Sequence, residues 1–250
     1  DRILHDKICG YLARKDQLPA QRLARQFRLS QTFKNTTSHM SSILEIGCGA
    51  GFSSEYLNDY YETYTGIDHS AQLIAAASKY HSTSGVTFEA TEISTYKPKT
   101  QFDSAFLIGV LHHLDDPTSD LRQITKFLNN GGYVLANEPQ PGNLFIRWAR
   151  ALRKKIDNNY SSDQVEFTAS QLVTMFEDAN LVEITIMPQG FFSTPFAEIA
   201  MPLQTIMAPI SRIACAIDRI IESLPGVAIW GKWLSWNFVV SGKVPSSKSK

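Results

Sequence analysis

Short apolar runs alternate with amphipathic stretches through the middle of the chain. The run at 42–46 is too short for a stable helix and predicts a buried strand. Stretches with apolar residues three and four apart predict helices at 52–60, 70–80 and 117–128. Further strands are predicted at 64–68, 86–90, 104–108 and 133–137. Alternating units of this length indicate an α/β fold, in which helices cover both faces of a parallel sheet.

Helical patterns occupy both ends of this alternation. N-terminal helices are predicted within 3–30, and an apolar helical insertion interrupted by prolines fills 194–234. The capping box Thr168–Gln171 opens a helix that Asn180 ends. Strands at 181–187 and 236–243 complete the pattern. We expect a doubly wound sheet of seven strands, mostly parallel, with the helical insertion before the last strand.

The same pattern divides the chain into regions. We expect an N-terminal helical cap at 1–41 and a main domain at 42–244. Helical lid insertions are expected within the main domain at about 139–165 and 190–234. The Ser- and Lys-rich tail at 245–250 is expected to be disordered.

Composition narrows the class of protein. An apolar share of 43% supports a substantial core, and a formal net charge of zero gives no field that would attract nucleic acid. Cys9, Cys48 and Cys215 are far apart, and no Cys/His spacing is typical of a metal site. No signal peptide is visible. We therefore expect a protein of a reducing, cytoplasmic compartment, without a metal and without nucleic acid as a partner.

A glycine-rich turn follows the first strand and carries the strongest chemical signal. Gly47, Gly49 and Gly51 let the backbone turn sharply and approach a ligand closely, and Cys48 lies between the first two. Such a loop alone also fits a dinucleotide site. Glu45 is unusual because a carboxylate inside a buried strand is costly unless it is paired. A cationic ligand would pair it.

Other candidate residues follow later strands of the sheet. Asp68 ends the second strand, where a carboxylate can accept both hydroxyls of a ribose or simply cap the next helix. His112, His113 and Glu138 lie near the carboxyl ends of the fourth and fifth strands, where open α/β folds build their sites.

Glu45-x-Gly47-x-Gly49-x-Gly51, Asp68 and the segment Phe102–Leu114 resemble the class I S-adenosylmethionine-dependent methyltransferases, in their small-molecule branch. The resemblance covers roughly residues 40–140, and 165–187 more weakly. It implies a Rossmann-like methyltransferase fold, S-adenosylmethionine as cofactor and S-adenosylhomocysteine as product.

The resemblance also implies roles for individual residues. The glycine loop would hold the amino-acid end of the cofactor, and Asp68 its ribose. The Ile108 carbonyl would receive the cofactor's amino group. The adenine side would be formed by His69, Glu92 and Ile93, with His113 packed nearby. The sequence departs from the family at Thr91 and Glu92, where the family usually has Gly and Asp.

Methyl transfer requires little covalent help from the protein, because the sulfonium is already a good electrophile. A general base matters only for an acceptor that is a poor nucleophile. His112, His113 and Glu138 are the candidates for that role. The alternatives are that His113 packs by the cofactor, His112 is a loop residue and Glu138 caps the loop.

Acceptor choice in this family lies outside the sheet, here in 1–30, 139–165 and 190–234. The last segment carries an isoleucine-rich stripe, expected to pack on the domain, against a dimer partner or over the pocket as a lid. The basic segment 145–156 is expected to be a solvated cap helix or a contact with an anionic membrane. We expect a small-molecule acceptor, hydrophobic or lipid-linked, methylated on O, N or C, and a monomer or homodimer that is cytoplasmic or membrane-peripheral.

Two other functions are compatible with the loop. The same fold could bind the cofactor without turnover, as a sensor or a silent partner subunit. An NAD-dependent oxidoreductase would instead bind a nicotinamide dinucleotide.

Overall fold

The computed structural model describes residues 18–34, 40–141, 166–199 and 201–246. Its strands are β1 (Met40–Ile46), β2 (Tyr61–Asp68), β3 (Val86–Ala90), β4 (Phe102–Ile108), β5 (Leu128–Pro139), β6 (Val182–Gln189) and β7 (Asn237–Lys243). Its α-helices are α1 (Pro19–Thr32), α2 (Phe52–Tyr56), α3 (Ala71–His81), α4 (Pro117–Thr125), α5 (Ala169–Asp178), α6 (Thr194–Glu198), α7 (Gln204–Glu222) and α8 (Val227–Trp230). Short 3-10 turns span Leu111–His113 and Gly231–Trp233.

One seven-stranded sheet organises the fold. Its order is β3-β2-β1-β4-β5-β7-β6, and the two pairings of β7 are antiparallel while the others are parallel. The chain moves outward from β1 through β2 to β3 and then crosses back to β4, which lies on the other side of β1. The crevice between the carboxyl ends of β1 and β4 is therefore a natural binding site. The predicted mostly parallel, doubly wound sheet is confirmed.

Local sequence signals account for several helix boundaries. Ser70 accepts a hydrogen bond from Leu73 N at the start of α3, and Asp116 caps α4 through Ser119 N. Thr168 and Gln171 form the predicted capping box of α5.

One predicted boundary is wrong. The sequence predicts a helix at 117–128 and a strand at 133–137, but α4 ends at Thr125 and β5 begins at Leu128, so that Gly131 and Gly132 lie inside the strand. The pairing of β5 with β4 shifts register over this stretch, and Gly131 has φ +79°. The glycines therefore allow an irregular start of the strand rather than the end of a helix.

Two groups of buried side chains hold helices to opposite faces of the sheet. One includes Leu121 and Ile124 of α4 with Phe176 of α5, and the other includes Leu29 of α1. α1 also packs against α6 and α7 of the insertion. The division into cap, domain and lids stays a prediction, and the segments 1–17, 142–165 and 247–250 lie outside the described residues.

α7 differs from one sequence expectation. Of the predicted apolar stripe only Ala214 is buried, because the side of the helix that carries Ser211, Cys215 and Asp218 faces inward. The stripe consists of Ile206, Ile210, Ile213, Ala214, Ile217, Ile220, Ile221 and Leu224. Periodicity located an apolar stripe correctly, but hydrogen bonds of the polar side chains determine which side of the helix faces the protein.

Candidate functional site

A cavity of about 610 Å³ lies at the carboxyl ends of the parallel strands. The sheet topology explains the position of the cavity. β1 and β4 are adjacent, but the chain leaves β1 towards β2 and leaves β4 towards β5, on opposite sides. Of the residues predicted from the sequence, the cavity is lined by Glu45, Gly47, Cys48, Ile108, His112 and His113.

The glycine loop has the backbone conformation that its sequence predicts. Gly47 has φ +70°, and a Cβ there would lie 2.6 Å from Val110 Cγ2. Gly49 has φ +54°, yet a Cβ there would meet nothing within 4 Å. Gly47 N and Cys48 N both donate to the Ile67 carbonyl, at 2.8 and 3.1 Å. The loop is thus tied to β2 while Gly49 borders open space.

Asp68 holds this loop from the end of β2. Its Oδ2 accepts a hydrogen bond from Gly49 N at 2.9 Å, and its Oδ1 accepts one from Ser70 N at 2.8 Å. A carboxylate has further lone pairs, so these bonds leave room for a ligand hydroxyl. His69 is about half exposed, with Nδ1 3.6 Å from Asp68 Oδ1, and does not line the cavity.

Glu45 lies at the base of the cavity, and its carboxyl group is buried. Tyr64 donates a hydrogen bond to Oε2, and Ser53 Oγ donates one to Oε1 at 2.8 Å. Burial raises the pKa of Glu45 to about 7, although both hydrogen bonds act to lower it. No cationic side chain neutralises the carboxyl group through a hydrogen bond or ion pair among those found in the described residues. The site can therefore stabilise a positive charge brought by a ligand.

Cys48 lines the cavity without being suited to nucleophilic chemistry. Burial raises the pKa of its thiol far above the ordinary value, and Glu45 and Asp68 act in the same direction. Only a thiolate is a good nucleophile. At ordinary pH this thiol therefore stays protonated and is a poor nucleophile.

The predicted adenine side is not part of the cavity lining. The Glu92 side chain is exposed, and its carbonyl accepts hydrogen bonds from Thr95 N and Tyr96 N. Ile93 is buried in the core. Thr91 N donates to the Asp68 carbonyl at 3.0 Å, which places this turn next to the ribose candidate. The roles of His69, Glu92 and Ile93 stay predictions.

Glu138 and His112 form a buried pair beside the cavity. Glu138 is fully buried, and its Oε1 accepts hydrogen bonds from Val110 N and Leu111 N at 2.9 and 2.8 Å. Its Oε2 lies 2.7 Å from His112 Nδ1. A carboxylate accepts rather than donates, so the hydrogen belongs on Nδ1 and Nε2 is left as an acceptor. The His113 ring lies 4.0 Å from the His112 ring, centroid to centroid.

The far wall of the cavity comes from two of the segments expected to choose the acceptor, 1–30 and 190–234, although the sequence did not single out its residues. α1 contributes Arg25 and Arg28, α6 contributes Thr194, Pro195 and Glu198, and Ile199 follows directly after α6. Arg28 Nη1 donates to Glu198 Oε1 at 2.8 Å, and Arg25 Nε donates to the Ala197 carbonyl at 2.9 Å. These partners are more than a hundred residues apart in the sequence, so no local signal identifies them.

Comparison with known proteins agrees with the geometry of the loop. A family model described as a methyltransferase domain matches residues 44–134. The ubiquinone biosynthesis O-methyltransferase of Pseudomonas fluorescens (strain Pf0-1) is 32% identical over 96 residues, which are 37% of this chain and 41% of that protein. The enzyme of the same name from Pseudomonas syringae pv. tomato is 33% identical over 97 residues. The chain thus matches less than half the length of these curated relatives.

Solved structures extend the likeness to the whole fold. A methyltransferase in complex with the Trm112 activator of Haloferax volcanii has a TM-score of 0.65 at 14% identity, with 99% of this chain and all of that chain covered. The N-methyltransferase NodS of Bradyrhizobium japonicum WM9, in complex with S-adenosylhomocysteine, has a TM-score of 0.52 at 19% identity, with 93% of this chain and 91% of that chain covered.

The fold, the glycine loop and the matched residues together define the class. Residues 44–134 match a methyltransferase domain, and the fold is that of class I S-adenosylmethionine-dependent methyltransferases, a class whose cofactor is S-adenosylmethionine and whose product is S-adenosylhomocysteine.

Glu45→Gln is expected to stabilise the ligand-free protein at neutral pH. The unfolded chain loses the Glu45 proton near pH 4.5, whereas the folded chain keeps it up to about pH 7. Wild-type stability therefore falls as pH rises through this window, by about 3 kcal/mol in total. Glutamine carries no such charge, so the free energy of unfolding of the variant should increase relative to that of the wild type as pH rises. Urea unfolding without cofactor, at several values between about pH 5 and 8, measures the difference.

Comparing the two proteins at each pH removes the contribution of Glu222, whose pKa burial also raises to about 7. A stability difference that does not change with pH would contradict the expectation. The same variant should bind the cationic cofactor more weakly, since it lacks the negative charge. Stability and binding are then expected to change in opposite directions.

Proposed function

We propose that this protein transfers a methyl group from S-adenosylmethionine to a hydroxyl oxygen of a small hydrophobic acceptor. The observation that carries the proposal is the buried Glu45 carboxyl group, which lines the cavity beside the glycine loop. A nucleotide with a negatively charged pyrophosphate would be repelled there. A sulfonium donor with its own amino group would be attracted.

The residues of the loop fit this cofactor. Gly49 leaves open space where a side chain would project, and Asp68 has accepting capacity left for ribose hydroxyls. The bound cofactor supplies an electrophilic methyl group. In the proposal, Gly47 to Gly51 hold its amino-acid end, and Ile108 at the end of β4 offers its carbonyl to the amino group.

His112 is proposed as the general base. A hydroxyl is a poor nucleophile until it begins to lose its proton, and the accepting Nε2 of His112 can take that proton. Glu138 acts as a positioning residue, because it fixes the His112 tautomer and holds the Val110–Leu111 backbone. A hydroxyl acceptor would require a base such as the His112–Glu138 pair, whereas an amine acceptor would have less need of one.

The acceptor is proposed to lie against the wall formed by α1 and α6. Ile199, Pro195 and Trp236 supply apolar surface there, and Arg25 and Arg28 supply charge. An acceptor with an apolar body and a polar end would match both. The curated relatives act in ubiquinone biosynthesis by name, which supports a lipid-linked phenol as one member of this class.

Calorimetry with S-adenosylmethionine, S-adenosylhomocysteine and NAD tests the cofactor. We expect binding of the first two and none of NAD. A panel of phenols with and without prenyl chains, set against amines of similar size, then tests the acceptor by transfer of a labelled methyl group. Cofactor binding without turnover on any acceptor would favour a silent binding protein. Binding of NAD alone would overturn the proposal.

A further inference from the structure

The outer side of α7 is an apolar surface of unusual extent. At 3.6 residues per turn, five of its side chains fall within an arc of about 80°, and Leu224 follows two residues after the helix ends at Glu222. Each is between 39% and 63% exposed, which is uncommon for a contiguous run of large aliphatic residues. This isoleucine face consists of Ile206, Ile210, Ile213, Ile217, Ile220 and Leu224.

The isoleucine face cannot turn inward without breaking buried hydrogen bonds. Ser211 Oγ donates to the Ala20 carbonyl at 2.8 Å. Asp218 is fully buried and accepts hydrogen bonds from Phe191 N, Phe192 N and Ser193 N, at 3.1, 2.9 and 2.9 Å. Losing such bonds at a buried charge is costly, so the orientation of α7 is fixed by its polar side.

The apolar surface continues beyond the helix. Ile229, Trp233 and Leu234 are 73%, 66% and 55% exposed. Tryptophan combines a large apolar ring with a polar N–H and is therefore favoured at the boundary between water and lipid. Ile199, which lines the cavity, is also exposed at 42%, so apolar surface lies next to the site.

The exposed charged side chains of the segment 203–234, which carries this surface, have one sign. Between residues 203 and 234 the exposed charged side chains are Arg212, Arg219 and Lys232. Of the two acids in that range, Asp218 is buried and Glu222 is half-buried, with Oε1 accepting a hydrogen bond from Gly190 N. The Arg219 guanidinium lies over the Phe27 ring of α1, 5.6 Å from its centroid, whereas Lys232 Nζ lies over the ring of Trp233 on the apolar surface itself. Long cationic side chains beside an apolar helix face are typical of helices that lie on anionic membranes.

We propose that the isoleucine face docks this protein on an anionic phospholipid surface. A second copy is a poorer occupant, because a two-fold contact would bring the three cations of each copy together with no exposed acid from this range. A bilayer offers apolar depth for the isoleucines and anionic headgroups for the cations. None of the described helices is long and apolar enough to cross a membrane, so the contact is peripheral. The inference does not rest on the proposed reaction.

Vesicle flotation of the purified full chain tests the docking, with no cofactor or acceptor present. We expect the protein to float with vesicles of phosphatidylcholine and phosphatidylglycerol, at least ~tenfold more strongly than with phosphatidylcholine alone. The double variant Ile213→Glu/Ile220→Glu should lose this binding. Tyr80→Glu is the matched control, since Tyr80 is similarly exposed, at 64%, but lies on α3.

Thermal unfolding and light scattering of the same proteins show whether a second copy or the chain itself covers the isoleucine face instead. Unchanged unfolding of the double variant, with lost flotation, supports the proposal. Failure of the wild type to float overturns it. Equal flotation of the double variant and the wild type also overturns it. A wild-type dimer that the double variant dissociates, without flotation, would show a second copy on the face. Strong destabilisation of the double variant, without wild-type flotation, would show the face covered by the chain itself.

Discussion

Asp68→Ala is expected to weaken the binding of S-adenosylmethionine at least ~100-fold while the protein stays folded. The change removes the acceptor for Gly49 N and Ser70 N, so the glycine loop loses the bond that sets its shape. Hydrogen bonds to a charged group contribute roughly 1.5–3 kcal/mol each, and 1.4 kcal/mol corresponds to a factor of ten. Calorimetry with the cofactor and its product measures the loss.

Asp103→Ala is the matched control for this change. Asp103 also accepts a hydrogen bond from a backbone amide, Ser42 N at 3.0 Å, but it lies at the amino end of β4 on the opposite edge of the sheet. We expect it to lower the free energy of unfolding without changing cofactor affinity. Affinity losses of similar size in both variants would show that Asp68 acts only through general stability.

His112→Ala is expected to lower kcat by about 10²–10⁴, the range typical of a lost general base, with little change in cofactor affinity. Glu138→Gln should have a similar effect for a different reason. Its amide oxygen can still accept from Val110 N and Leu111 N, but its NH₂ group would face His112 Nδ1. That arrangement favours the His112 tautomer with its hydrogen on Nε2, and this nitrogen then cannot accept a proton from the acceptor. Methyl transfer to the most active phenol of the panel measures both variants.

His113→Ala separates the two neighbouring histidines. It should affect cofactor binding or KM more than kcat, if His113 packs near the cofactor. The reverse pattern, with His113→Ala losing kcat and His112→Ala retaining it, would move the base to His113. Wild-type kcat in Glu138→Gln would contradict the positioning role of Glu138, because a purely structural carboxyl group is replaced well by this amide.

Much of the site was predictable because its signals are local. Glu45 and the three glycines lie within seven consecutive residues, and their conformations depend on turn geometry that the sequence itself imposes. The Thr168–Gln171 capping box is local in the same way, and Asn180 adopts the positive φ of +61° that suits the end of a helix. Asp68 was predicted because it ends the second predicted strand, which places it at the carboxyl end of the parallel strands.

The sequence by itself thus determined the order of strands and helices, the glycine loop and the acid beneath it. Only the tertiary structure decided that Glu138 pairs with His112, that α1 and α6 form the far wall, and that the isoleucine face of α7 points outward. Each depends on partners distant in the chain, as when Asp218 accepts from Ser193 N. Periodicity states that a helix has an apolar side, but long-range hydrogen bonds and packing fix where that side points.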